Sequence, residues 1–79
     1  MVSQLNEDAA AFDSKIEYCK IRINNEKVRN YIFDIVKTTD DRNSFYLIDG
    51  NGMGLKSLSK YAVGVEKFKE EPAFVWKLQ

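Results

Sequence analysis

LKSLSKYAVGVEKFKEE, residues 55–71, decides the fold, because two periods compete in it. Leu55, Leu58, Tyr61, Ala62, Val65 and Phe68 recur at helical spacing, and Pro72 follows where a helix must stop. Against this, Val63, Gly64 and Val65 favour a strand, and a central glycine costs a helix about 1 kcal/mol relative to alanine. The helical spacing and the proline stop predict a helix over 55–71. On its C-terminal side, AFVWKL (73–78) reads as a strand under either choice.

Working toward the N-terminus, Gly50-Asn51-Gly52 ends a short strand at Phe45–Asp49. Upstream, KIEYCKIRIN (15–24) and KVRNYIFDIVKT (27–38) are dense in β-branched and aromatic residues and flank Asn24-Asn25, which tolerates positive φ. They predict a β-hairpin, and with 45–49 a three-stranded antiparallel meander. Ser3 to Phe12 reads as a short helix, capped by Ser3, with Val2, Leu5, Ala9 and Phe12 on one face.

The expectation is therefore α+β: a small antiparallel sheet, made of the meander plus the C-terminal strand, with an N-terminal helix and a helix before the last strand. The alternative is a small all-β barrel in which 60–68 and 73–78 form a second hairpin. Seventy-nine residues are one small globular domain, residues 1–14 a helical arm and 15–79 the sheet core.

Composition excludes much. The chain has no histidine and one cysteine, Cys19, which removes the commonest general base, the commonest metal ligand and nearly every nucleophile–base pair. No enzyme, no cofactor and no metal site is expected. Twelve basic and twelve acidic residues cancel, so bulk charge argues for neither a polyanion nor a membrane surface. No run approaches ~20 apolar residues, so no membrane span is expected. A lone cysteine fits a reducing, cytoplasmic setting. Nine lysines against three arginines fit an AT-rich genome such as a phage's.

Several features have bland readings that outweigh the sharp ones. Asp49-Gly50-Asn51-Gly52-Met53-Gly54 begins like a calcium loop, but Met53 and Lys60 stand at positions five and twelve, where ligands are needed. It lacks the ending of a phosphate loop too and reads as a strand-to-helix turn. Cys19 reads as a buried small hydrophobe. Asp40-Asp41 and Glu70-Glu71 read as solvated turns.

The middle of the chain holds the candidate site. Residues 15–42 carry seven bases against five acids, interleaved with Tyr18, Tyr31 and Phe33. A two-residue turn at Asn24-Asn25 would pair Arg22 with Lys27, Lys20 with Arg29 and Tyr18 with Tyr31. A four-residue turn would pair Ile23 with Val28 and Cys19 with Ile32, and still place Arg22 opposite Arg29. Like charges directly opposite are destabilising, so such a face invites an anionic partner. The second strand is apolar on both sides, so something must cover its second face: the N-terminal helix, a second protomer or a foreign partner. Phe74 and Trp76 raise the same question. The leading expectation is a non-enzymatic protein-binding module, a small regulator, inhibitor or assembly factor, binding another protein or itself as a homodimer. Its contact residues would be Tyr18, Lys20, Arg22, Lys27, Arg29, Tyr31, Phe33 and Trp76. The alternative is a nucleic-acid-binding module using the basic-aromatic hairpin 15–38.

Overall fold

The computed structural model describes residues 2–4, 11–12, 14–39, 43–59 and 62–78. Among them every regular element is a strand except one 3-10 turn, Pro72–Phe74. The strands are β1 (Val2–Gln4), β2 (Ala11–Phe12), β3 (Ser14–Glu17), β4 (Lys20–Ile23), β5 (Phe33–Lys37), β6 (Ser44–Ile48), β7 (Met53–Ser59), β8 (Ala62–Lys67) and β9 (Val75–Leu78).

All pairings are antiparallel, and the sheet runs β2-β1-β9-β6-β5-β4-β3. Its two ends, β2 and β3, are consecutive in the chain with only position 13 between them. The stretch 11–17 thus pairs with β1 at its start and with β4 at its end, and the sheet returns on itself as a small barrel. Extents of 27 × 25 × 23 Å agree with that near-isotropic shape. The β7–β8 hairpin springs from the end of β6, where Ile48 pairs with Gly54.

The α+β expectation is overturned, and the all-β alternative fits. Both ends of the expected 3–12 helix are strand, with Val2 opposite Phe12 and Ser3 opposite Ala11, while 5–10 lie outside the described residues. The arm of 1–14 is not separate from the sheet either, since β1 lies between β2 and β9. Residues 55–71 are not a helix but most of β7 and β8, with Leu55 opposite Val65 and Ser57 opposite Val63. The second hairpin accordingly joins 53–59 to 62–67 rather than 60–68 to 73–78, and β9 pairs with β6 and β1.

Alternation explains the strands. In β4, Ile21 and Ile23 are fully buried while Lys20 and Arg22 are exposed. With Val28, Phe33, Phe45, Leu47, Leu55 and Val63 they surround Trp76, whose indole N–H donates to the Leu55 carbonyl at 3.0 Å. The second face of the sheet is covered in part, at β6, while Ile32 and Val36 of the second expected strand stay exposed. Tyr46 meets Phe68 edge-on at 4.8 Å, Phe68 meets Phe74 at 5.5 Å, and Phe74 is 2% exposed. Gly54 is required beneath this cluster, because a Cβ there would lie 2.8 Å from the Phe74 ring. The segment 68–74 lies against the outer side of β6 at Tyr46.

Candidate functional site

The chain turns between β3 and β4 at Tyr18 and Cys19, with φ of 53° and 65°. Two consecutive positive φ values are the conformation of a tight two-residue hairpin turn, normally made by Asn-Gly. The hairpin expected around Asn24-Asn25 therefore splits. Residues 14–17 fold onto 20–23, and 20–21 then pair with 33–34 across a loop at 24–32. That loop is built of turns: Val28 N–H donates to the Asn25 carbonyl and Tyr31 N–H to the Val28 carbonyl, each at 3.0 Å.

This register replaces both expected ones. Arg22 stands opposite Lys15, and Lys20 stands between Glu17 and Asp34 on its two neighbouring strands. The outer face then carries two kinds of cation. Lys20 Nζ lies 2.6 Å from the Asp34 carboxylate, and Lys15 Nζ lies 3.0 Å from Glu17. Arg22 and Arg29 have no carboxylate partner among the described residues. They share an open groove of about 420 Å³ with Ser14, Lys15, Ile23, Asn24 and Asn30. Among the described residues its lining holds three cations, two amides, a hydroxyl and no acid. A shallower one of about 220 Å³ adjoins it, lined by Lys15, Glu17, Tyr18, Lys20, Ile21, Arg22 and Ile32.

The expected contact residues thus divide. Tyr18 is 96% exposed at the hairpin tip, and Tyr31 is exposed and stacked on Phe33 with ring centroids 5.9 Å apart. Lys20, Arg22 and Arg29 lie on the surface, as does Lys27, whose backbone N–H donates to the Asn25 side-chain oxygen. Phe33 and Trp76 are at 0% exposure in the core and present no surface to a partner. Lys15, Ser14, Asn24 and Asn30 complete the groove and were not among the expected residues. Reading Tyr18-Cys19 as a turn would have placed Lys15 beside Arg22, but neither residue type announces one.

Cys19 is exposed in that turn, correcting its expected burial. Asp49-Gly50-Asn51-Gly52 is a strand-to-strand turn rather than a helix entry. The Asp49 carboxylate accepts from the Asn51 and Met53 N–H groups, each at 2.9 Å, and Gly52 holds φ 81°. Glu70 and Glu71 are exposed, and Asp40-Asp41 lie outside the described residues. Among the described residues, no group of acids or thiols is placed to hold a metal, and no helix is long and apolar enough to cross a membrane. Comparison with protein-family models, with curated proteins and with solved structures finds no match.

Proposed function

We propose that this chain is a non-enzymatic binding module, a small regulator, inhibitor or assembly factor in a reducing, cytoplasmic setting. It engages a protein partner through the outer face of the β3–β4 hairpin and the 24–32 loop. The observation that carries this reading is the company kept there by exposed apolar groups and unpaired arginines. Tyr18 at 96% and Ile32 at 47% exposure share the shallower groove with Arg22, which shares the larger one with Arg29, and neither arginine has a carboxylate of its own among the described residues. Aromatic and arginine side chains are what binding hot spots are made of. A chain with no histidine leaves little room for acid–base catalysis at neutral pH.

A second reading, nucleic-acid binding, is favoured by the acid-free lining of the groove. Charge supply argues against it. Arg22, Arg29 and Lys27, with no carboxylate partner among the described residues, and Lys15, already shared with Glu17, would neutralise about four phosphates, a salt slope of only about −3 on a single strand.

Affinity capture with and without nuclease separates the two. The expected result is a protein retained after nuclease by the native chain and depleted by Tyr18→Ala and by Arg22→Gln/Arg29→Gln. Capture that vanishes with nuclease, or that ignores both variants, overturns the reading.

A further inference from the structure

The geometry points to the groove between the β3–β4 hairpin and the 24–32 loop as the docking site for an acidic segment of the partner protein. This rests on the protein-binding reading and names the chemistry of what is bound. Arg22 on β4, Arg29 on the loop and Lys15 on β3 all line one opening of about 420 Å³, so three elements bring cations to it. That volume is in the range that encloses a small ligand, roughly 300–1,000 Å³. Among the described residues the lining has no acid of its own, the nearest carboxylate being Glu17 on Lys15, and Ser14, Asn24 and Asn30 add hydrogen-bonding groups. Arginine forks match carboxylates in bidentate fashion.

The neighbouring row limits what else fits. Two residue pairs along the sheet, the next on the same face, Glu17 and Asp34 flank Lys20 and hold the negative end of the face. A polyphosphate strand continuing out of the groove across this row meets two carboxylates, whereas two or three side-chain carboxylates end before it. Lys15 is free to serve both roles, because its exposed pair with Glu17 is weakly held in water. Local charge complementarity thus selects a short acidic segment, in a protein whose net charge is zero.

The test titrates the labelled full chain with three probes: hexaglutamate peptide, dodecathymidine and inorganic phosphate, read by backbone amide shifts. With hexaglutamate, saturable shifts are expected at residues 14–15, 22–24 and 29–30, weakening between about 50 and 200 mM salt. Arg22→Gln/Arg29→Gln should weaken binding by at least about tenfold. Arg22→Lys/Arg29→Lys, which keeps charge but loses the fork, should fall between. Lys67→Gln, on β8, should change nothing. Tighter binding of dodecathymidine at the same amides, binding no stronger than inorganic phosphate, or shifts away from the groove would each overturn the assignment. If nuclease-resistant capture survives while hexaglutamate leaves the groove amides still, the docking proposal fails and the binding-module reading stands. If capture itself fails, the broader reading goes.

Discussion

Trp76 shows how one residue can be read rightly by type and wrongly by place. A tryptophan on a terminal strand is a fair candidate for a binding hot spot, because its indole joins a large apolar face to a polar handle. Here both properties are spent inside. The ring is fully buried, and its N–H donates to the Leu55 carbonyl, so it ties β9 to β7 across the core. Replacing Trp76 by Phe leaves a void and removes that donor. Loss of the buried hydrogen bond alone is worth about 1–3 kcal/mol, so urea unfolding of Trp76→Phe should show a midpoint lowered by at least that much stability. An unchanged midpoint would mean that the indole is not a core tie. Phe33 is a parallel case: buried beside Ile21, it lends only its face to Tyr31. Side-chain chemistry was legible at both positions, but depth was not, because depth depends on which strands meet.

At the scale of elements, the β3–β4 hairpin is the turning point. Strand propensity over 15–24 reads one strand where the structure has two, β3 and β4, because the break at Tyr18-Cys19 carries no turn residue and was invisible. Non-glycine residues at positive φ cost about 1–2 kcal/mol each, and an aromatic there is uncommon. Changing Tyr18→Asn with Cys19→Gly supplies the sequence this turn prefers. The double variant should be more stable by about 1–2 kcal/mol in urea unfolding while capturing less partner, separating the folding role of the turn from its recognition role. A destabilised double variant would mean that Tyr18 and Cys19 do not take that conformation.

The misread β7–β8 hairpin has a different cause. Leu55, Leu58 and Val65 fit a helical stripe, yet Leu55 and Val65 are direct cross-strand partners. Leu58 sits at the bulge between Ser57 and Ser59, where its side chain lies against Gly64. The glycine that weakened the helical reading is the residue that makes room for this leucine. Local periodicity could not reveal that contact.

For the whole molecule, the closed sheet divides labour between two ends. Around β6, the Phe68–Phe74 cluster covers Tyr46, while Val36 opposite it on β5 stays 41% exposed. Around β3, β4 and the 24–32 loop, exposed Tyr18 and Ile32 and the unpaired arginines remain open. The surplus of bases over residues 15–42 was legible in the sequence. Their sorting into paired Lys20 and Lys15 against Arg22 and Arg29, which have no carboxylate partner among the described residues, required the register. Binding should therefore be one-sided. The most direct measurement is amide hydrogen exchange of the chain alone and in complex with the nuclease-resistant partner it captures. Slowed exchange should be confined to residues 14–24 and 29–32, with β7, β8 and 68–74 unchanged. Protection centred on β8 or on 68–74, with the β3–β4 hairpin unaffected, would contradict the account.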